Sequence, residues 1–184
     1  MDDSQIIAAC KKQNRSAQKA LYELYAPKMM TVCLRYCHND ETARDLLHDG
    51  FLQVFTQIGS YSGKGSFEGW LRKIFVNVAL ENYRQEKKRY DFLNDYEKDE
   101  SYILDVPEDD FEVGDIPREE LLNVIHQMPE GYRTVFNLVI FEDVSHKDIA
   151  TMLGISENAS RSQYFRAKAY FQKKVQSMLK KNYL

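Results

Sequence analysis

Two cysteines and a histidine first suggest chemistry in this sequence. Cys33 and Cys37 lie four residues apart, so a helix would place them on one face, with His38 beside them. Such a group could bind a metal or carry thiol chemistry, but a metal site needs more ligands at a tighter spacing than the chain supplies. We therefore expect all three cysteines, Cys10 included, to be reduced and mostly buried, as in a reducing compartment.

Other catalytic patterns do not emerge from the sequence. It contains no paired acid–base constellation, no phosphate-binding GxxxxGK loop and no plausible set of metal ligands. We expect no covalent chemistry, no cofactor and no metal. A thiol enzyme built around Cys33 and Cys37 is therefore disfavoured.

Residues 145 to 168, SHKDIATMLGISENASRSQYFRAK, have a pattern that suits nucleic acid instead. Ser145 precedes Asp148 by three residues and can cap a helix in the manner of a capping box. Gly154 can adopt the left-handed conformation that ends this helix, and Ser156 can cap the next one. These cap and turn residues predict a helix-turn-helix.

The second helix of this pair has two distinct faces. Its inward stripe steps by four, three and four residues, through Ser160, Tyr164, Ala167 and Phe171. The residues predicted to face outward near its start are Asn158, Arg161, Ser162, Phe165 and Lys168. Because Arg pairs with guanine and Asn with adenine in the major groove, this face is a candidate DNA contact.

The charge is unevenly distributed along the 184 residues. The net charge is −3, yet residues 1–90 hold 14 Lys/Arg against 10 Asp/Glu and residues 121–184 hold 9 against 5. Residues 91–120 hold 2 against 13. We interpret residues 91–116 as an acidic, flexible linker between two basic helical domains that could each meet phosphate. An alternative is that the acidic strand lies where nucleic acid would otherwise lie.

The first domain, residues 1–90, is predicted to be helical. Residues 16–37 form one candidate helix, which Pro27 should kink or break. Its apolar stripe is assigned to Ala20, Leu24, Met30, Leu34 and Cys37. Asn39 and Asp40 can cap a second helix, whose stripe is Leu47, Phe51, Val54 and Ile58. Asp45, His48, Asp49 and Gln53 fall off that stripe, largely on exposed faces.

A glycine-containing turn, residues 60–66, precedes a third helix. The core stripe of that helix is Phe67, Leu71, Ile74 and Val78, while Trp70, Asn77, Glu81, Arg84 and Lys88 lie elsewhere around it. A mixture of aromatic, polar and basic side chains beside a loop suits single-stranded DNA. Composition alone leaves it open whether Trp70 and the tyrosines are core or surface residues.

The last domain, residues 117–184, begins at Pro117, which a first helical turn tolerates. Two further helices are predicted before the helix-turn-helix. Their stripes are Leu121, Val124, Ile125 and Met128, and then Val135, Leu138 and Val139. The fold class is therefore all-α.

With these motifs in place, the chain resembles the extracytoplasmic-function sigma factors of the sigma-70 type over residues 15–90 and 117–175. In that family two helical domains, regions 2 and 4, are joined by a linker. DLLHDGFLQVF, residues 45–55, is similar to the helix that docks on the clamp helices of the RNA polymerase largest subunit. The resemblance implies polymerase contacts at Asp45, His48, Asp49 and Gln53, with His48 standing where the family usually has Gln.

FEGWLRKIFVNVALENYR, residues 67–84, resembles the family helix that binds the −10 promoter element, and the preceding loop would capture a flipped base. Asn77 matches the family Asn, and Val76 replaces its usual Arg. The candidates for −10 DNA binding are Ser60, Tyr61, Lys64, Ser66, Trp70, Asn77, Glu81, Arg84 and Lys88. The helix-turn-helix resembles the reader of the −35 element, with Asp143 replacing a common Gly.

The resemblance implies that the chain binds core RNA polymerase, directs it to promoter DNA and helps open the duplex. It also implies contact with the flap of the second-largest subunit and an anti-sigma factor as a partner. With no apolar run near the roughly 18 residues of a membrane span and no signal peptide, we expect a cytoplasmic protein. The alternative is a stand-alone helix-turn-helix regulator, which would leave the first domain unused.

Overall fold

The computed structural model describes the backbone of residues 3–93 and 116–182, and the side chains of residues 3–87 and 116–180. Within those ranges the chain is all-α, without strands, as predicted. The helices are α1 (Asp3–Lys11), α2 (Arg15–Tyr36), α3 (Asp40–Gln57), α4 (Phe67–Leu93), α5 (Arg118–His126), α6 (Glu130–Ile140), α7 (His146–Leu153) and α8 (Glu157–Asn182). A single 3₁₀ turn, Ile58–Ser60, follows α3.

The backbone divides into two compact units, Met1–Tyr83 and Arg84–Leu184. The second unit therefore begins within the last turns of α4. The predicted linker, residues 91–116, lies outside the described residues except at its ends, where residues 91–93 continue α4. The bounds of the linker stay a prediction.

In the first unit, side-chain caps fix where the helices begin. The Asn14 side chain accepts a hydrogen bond from the Ala17 amide at 3.0 Å, and Asn39 accepts one from Thr42 at 2.8 Å. Ser66 accepts from the Gly69 amide at 3.1 Å and so caps α4. These bonds satisfy helix N–H groups that have no partner within the helix.

The predicted apolar stripe of α2 is wrong by about one residue, except at its end, where Cys37 is buried as predicted. The buried stripe is Ala17, Leu21, Tyr25, Met29, Val32, Cys33 and Tyr36, whereas Leu24 is 47% exposed. Tyr25 can be buried because its hydroxyl donates to the Asp3 carboxylate at 2.8 Å, a contact between α1 and α2. This partner satisfies the polar end of the ring, which helical spacing alone does not reveal.

Pro27 does not break α2, contrary to one of the two outcomes predicted for it. The helix runs unbroken from Arg15 to Tyr36 with the proline inside. Proline removes one hydrogen bond to the fourth preceding residue, here Glu23. That residue is exposed, so water can solvate the freed carbonyl, while Tyr25 and Met29 stay buried on the opposite face.

Close helix packing joins α3 to α4. A side chain at Gly50 would overlap the Phe75 ring, so the glycine lets the two helices approach. Phe51 packs edge-on against Phe75 with ring centroids 5.3 Å apart. The predicted α3 stripe is confirmed, since Leu47, Phe51, Val54 and Ile58 are all buried.

In the second unit, α8 packs against α5, α6 and α7. Buried Ile125, Met128, Phe136 and Ala167 form one cluster, with Tyr132, Tyr164, Tyr170 and Phe171 packed against it. The buried Arg133 guanidinium donates to the His126 carbonyl at 3.0 Å and ties α6 to the end of α5. The predicted inward positions Val124, Val135, Leu138 and Ile149 are buried.

The turn between α7 and α8 has the predicted geometry. The Asp148 amide donates to the Ser145 hydroxyl at 3.2 Å, and the Ala159 amide donates to Ser156 at 3.0 Å. Gly154 has φ +64° and ψ +39°, in the left-handed region. These three features confirm the helix-turn-helix.

The helices within the described ranges do not have the properties of a membrane span. None of them is both long and apolar enough to cross a bilayer.

Candidate functional site

The exposed face of α3 holds the residues predicted to dock on a partner. Asp45, His48, Asp49 and Gln53 are all exposed, because the apolar stripe of α3 turns towards α2 and α4. Gln53 accepts a hydrogen bond from the Gln57 amide group at 2.9 Å. The structure therefore brings the four residues together on one accessible surface, which we call the α3 face.

Leu52 lies on the α3 face and was missed by the sequence analysis. It is 54% exposed, and it stands seven residues after Asp45 and three after Asp49, which places all three on one side of the helix. The signal was available: Leu52 falls outside the stripe of residues 47, 51, 54 and 58. An exposed leucine next to carboxylate and amide side chains is the composition of a protein-docking surface, with apolar and polar groups side by side.

A surface groove of about 390 Å³ runs between α3 and α4 in the first unit. Its walls include Asp49 and Gln53 from α3, and Asn77 and Glu81 from α4. The apolar residues along it are Leu52, Ile74 and Val78. The groove thus joins residues predicted for polymerase contact to residues predicted for −10 DNA contact.

The loop of residues 60–66 is held by a hydrogen bond within it and by one from Lys11 of α1. Gly63 and Gly65 have φ of +78° and +76°, conformations that glycine adopts without strain. The Tyr61 hydroxyl donates to the Gly65 carbonyl at 2.9 Å, and the Lys11 ammonium donates to the Tyr61 carbonyl at 2.6 Å. The side chains of Ser60, Lys64 and Ser66 are exposed around this loop.

Aromatic rings connect this loop to the start of α4. The Tyr61 ring lies 5.0 Å from Phe67 and 5.5 Å from Trp70. Phe67 and Trp70 are stacked, with centroids 5.5 Å apart. Phe67 is buried while Tyr61 and Trp70 are half-buried, so the two latter rings belong partly to the core and partly to the surface.

The remaining −10 candidates lie along α4. Asn77 and Glu81 are exposed. The Arg84 side chain, in the second unit, donates through Nε to the Met152 carbonyl at 3.0 Å, which the sequence did not predict. Lys88 lies in α4, but its side chain is outside the described residues.

The front of α8 presents the predicted −35 residues. Asn158, Arg161, Ser162 and Phe165 are exposed, and Lys168 is half-buried. The Arg161 guanidinium pairs with the exposed Glu157 carboxylate at 2.6 Å, an interaction that the sequence analysis missed. At the start of α7, His146 Nδ1 lies 2.9 Å from the Ser160 hydroxyl, which links the two helices of the motif.

The cysteines have the environment expected of structural thiols. Cys10, Cys33 and Cys37 are free and buried. Burial raises the pKa of Cys33 well above its usual range, as does the neighbouring Cys37. Because the thiolate is the reactive form, burial keeps Cys33 unreactive at neutral pH. Among the described residues, no group of three His, Cys, Asp or Glu side chains is arranged to hold a metal ion.

Comparison with known proteins matches both helical units. Residues 21–89 match the family model of sigma-70 region 2, and residues 118–170 match that of sigma-70 region 4. Residues 3–11, which form α1, lie outside both matches.

Similar curated proteins align along nearly their whole length. The RNA polymerase sigma-H factor of Pseudomonas aeruginosa is 26% identical, covering 97% of this chain and 96% of that protein. The ECF RNA polymerase sigma factor SigW of Bacillus subtilis is 25% identical, covering 94% and 96%. A solved structure of the sigma factor RpoE with the anti-sigma factor NepR, from Bartonella quintana, has a similar fold, with a TM-score of 0.50, 20% identity, and coverage of 86% of this chain and 96% of that one. This chain therefore belongs to the sigma-70 family, as an extracytoplasmic-function RNA polymerase sigma factor.

Proposed function

We propose that this sigma factor binds core RNA polymerase, directs it to specific promoters and promotes opening of the DNA. The observation that carries the proposal is the presence, in one chain, of two different surfaces of the expected kinds. The first unit exposes carboxylates and Leu52 on α3 and carries the half-buried rings of Tyr61 and Trp70, and the second contains a capped helix-turn-helix. A stand-alone regulator would use only the second.

The α3 face is the proposed docking surface for polymerase. We assign the contact to the clamp helices of the largest subunit, through Asp45, His48, Asp49 and Gln53, with Leu52 as the apolar centre. The exposure of all five side chains supports this assignment. A central apolar residue surrounded by polar groups is the arrangement in which a few residues dominate binding energy.

The loop of residues 60–66 and α4 form the proposed −10 surface. Half-buried Tyr61 and Trp70 can each offer ring surface for stacking with an unpaired base, while exposed Lys64 can meet phosphate. Asn77 and Glu81, on the groove between α3 and α4, are the proposed polar contacts further along the helix. We retain Ser60, Ser66, Arg84 and Lys88 as further candidates.

The helix-turn-helix is the proposed −35 surface. Asn158, Arg161, Ser162 and Phe165 are exposed on the first three turns of α8, the part of a recognition helix that enters the major groove. When the chain binds DNA, Arg161 must break its exposed ion pair with Glu157 and contact a base or a phosphate instead. Exposed ion pairs contribute little stability, so that exchange costs little.

Three further assignments rest on family membership. We propose residues 91–116 as the linker between region 2 and region 4, the flap of the second-largest polymerase subunit as a contact of region 4, and an anti-sigma factor as a regulatory partner. The proposed location is the cytoplasm, where polymerase acts.

Binding of the full chain to core RNA polymerase tests the docking surface. Asp49→Arg should weaken that binding at least about tenfold, because it places a positive charge where the polymerase surface is expected to meet a carboxylate. Glu23→Arg makes the same charge change on an exposed part of α2 and should leave the affinity unchanged. Affinity for a duplex −35 fragment should be the same for both variants.

Two results would contradict the proposal. If Asp49→Arg bound polymerase as tightly as the unmodified chain, the α3 face would not be the docking surface. If the unmodified chain failed to co-elute with core polymerase but bound duplex DNA tightly by itself, the chain would act as a stand-alone regulator.

A further inference from the structure

The Lys11 side chain joins α1 to the loop of residues 60–66. Its ammonium group donates to the Tyr61 carbonyl at 2.6 Å, across 50 positions of the sequence, and lies 5.9 Å from the centroid of the Tyr61 ring. The family matches cover residues 21–89 and 118–170, so α1 lies outside both of them. Family membership therefore assigns no role to this contact.

The helix α1 is anchored on the first unit, so Lys11 extends from a fixed backbone. The helix packs against α2 and against the 3₁₀ turn Ile58–Ser60. In its first turn, Asp3 accepts a hydrogen bond from the Tyr25 hydroxyl of α2 at 2.8 Å. In its last turn, Cys10 is completely buried. Because Lys11 directly follows Cys10, this packing fixes the point from which its side chain reaches the loop.

The tip of the loop has few restraints of its own. Gly63 and Gly65 both have positive φ, and glycine has access to more backbone conformations than any other residue. Within the part of the chain that the structure describes, no atom beyond the adjacent residues lies within 4 Å of where a side chain would begin at either glycine. Packing therefore does not hold the tip, and a hydrogen bond at the base of the loop matters more.

Tyr61 transmits the restraint from Lys11 to the rest of the loop. Its carbonyl accepts from Lys11, while its hydroxyl donates to the Gly65 carbonyl at 2.9 Å and so closes the loop. Its ring packs against Phe67 with centroids 5.0 Å apart and against Trp70 with centroids 5.5 Å apart. The position of the Tyr61 backbone thus determines where the far end of the loop and its ring surface lie.

We infer that Lys11 is a positioning residue that, through Tyr61, holds the loop of residues 60–66 in the conformation that receives a flipped base. The inference rests on the proposed function, because it requires this loop to capture a base of the opened strand. A loop that is already ordered loses less conformational freedom when it binds. Since the bond between Lys11 and Tyr61 is exposed, its loss should affect the order of the loop more than the stability of the first unit.

Abasic sites in the −10 element test the inference, because they remove one base and leave its phosphate in place. Promoters are first selected from a random library by transcription with holoenzyme reconstituted from the full chain and core polymerase. Holoenzyme affinity is then measured on promoters whose −10 element is already unpaired, with each base of the opened strand replaced in turn. The variants are Lys11→Met, which removes the charge and the donors, and Lys11→Arg, which keeps both. Lys12→Met is the control, since it makes the same change at the next exposed lysine.

The expected result is a smaller penalty for the missing base. The unmodified chain should bind at least one abasic promoter more weakly than the intact one, and the ratio of the two affinities measures base capture. In Lys11→Met this ratio should fall about three- to tenfold, the range for losing one hydrogen bond, because abasic DNA does not need the ordered loop. Lys11→Arg should keep most of the ratio and Lys12→Met all of it. Affinity for core polymerase should be the same for all four chains.

Three results would overturn the inference alone. An unchanged ratio in Lys11→Met would mean that the loop does not depend on Lys11. An equal loss on intact and abasic DNA, with a weaker salt dependence, would mean that Lys11 contacts phosphate directly. A loss of affinity for core polymerase would give Lys11 a role in the fold of the first unit instead. In each case promoter-dependent transcription by the unmodified chain would leave the proposed function standing.

Two further results would reach the proposed function itself. If the unmodified holoenzyme transcribed from its promoters but no abasic site weakened its binding, base capture by the loop and the role of Lys11 would both be wrong. If the unmodified chain gave no promoter-dependent transcription, the whole proposed function would be overturned together with the inference.

Discussion

At the scale of single residues, Gly50 shows how function depends on the absence of a side chain. Gly50 is buried on α3 against the Phe75 ring of α4. The contact holds together the two helices that carry the proposed polymerase and −10 surfaces. Any side chain at this position must displace the ring, although alanine would otherwise favour the helix by about 1 kcal/mol.

Gly50→Ala should destabilise the first unit by about 1–2 kcal/mol, because the destabilisation from overpacking the core exceeds the stabilisation from the higher helix propensity of alanine. Denaturant unfolding followed by the fluorescence of Trp70, the only tryptophan in the sequence, reports on this unit. Gly59→Ala is the control, because nothing lies within 4 Å of a side chain there. A Gly50→Ala variant as stable as the unmodified chain would contradict the described packing.

Some site residues could be predicted one by one and others could not. The exposure of Asp45, Asp49 and Asn77 could be predicted because they fall outside clear apolar stripes, while their contacts stay predictions. Leu52 falls outside the stripe too, but it is apolar, whereas contact residues on α3 were expected to be charged or polar. The Arg84 contact with the Met152 carbonyl joins residues 68 positions apart, so no local pattern could reveal it.

At the scale of helices, regular spacing decided what the sequence could predict. The stripes of α3 and of the first part of α4 are regular, and their predicted core residues are buried or half-buried. In α2, two adjacent faces both carry apolar residues, and the hydrogen bond from Tyr25 to Asp3 is one of the contacts made by the face that is buried. That contact depends on α1, which periodicity within α2 does not describe.

The start of α6 should make the second unit sensitive to pH. Burial raises the pKa of Glu130 to about 7, with a further contribution from a hydrogen bond and repulsion involving Glu86, while Arg133 opposes the shift. The folded state therefore holds a proton more tightly than the unfolded chain. The contribution of the protonated Glu130 carboxyl to the stability of the second unit is fully present below the unfolded pKa of about 4.5. It is lost as pH rises through about 7.

We expect the second unit to become less stable between pH 5 and pH 8, by less than about 1.4 kcal/mol per pH unit because solvent screens the half-buried group. Hydrogen exchange of the α6 amides, corrected for the intrinsic effect of pH, measures this change. Glu130→Gln should reduce the dependence, since glutamine stays neutral. An equal dependence in that variant would assign the effect to another group.

At the scale of the whole molecule, the distribution of charge reconciles a slightly acidic protein with DNA binding. The net charge of −3 arises because residues 91–120 carry 13 acidic and 2 basic residues, while residues 1–90 and residues 121–184 each carry an excess of four basic ones. Non-specific affinity for DNA follows local positive charge rather than the net value. Because the acidic residues 91–120 belong to the same chain and repel phosphate, we expect the full chain alone to bind DNA weakly and to depend on polymerase for promoter selection.

Transcription by reconstituted holoenzyme tests the central claim most directly. Core polymerase is given a library of templates with random upstream sequence, with and without the full chain, and the transcripts are sequenced. We predict transcripts that depend on the chain and start downstream of a shared pair of upstream elements, and that become scarcer with Asp49→Arg. Transcripts that are the same with and without the chain would contradict its assignment as a promoter-directing subunit.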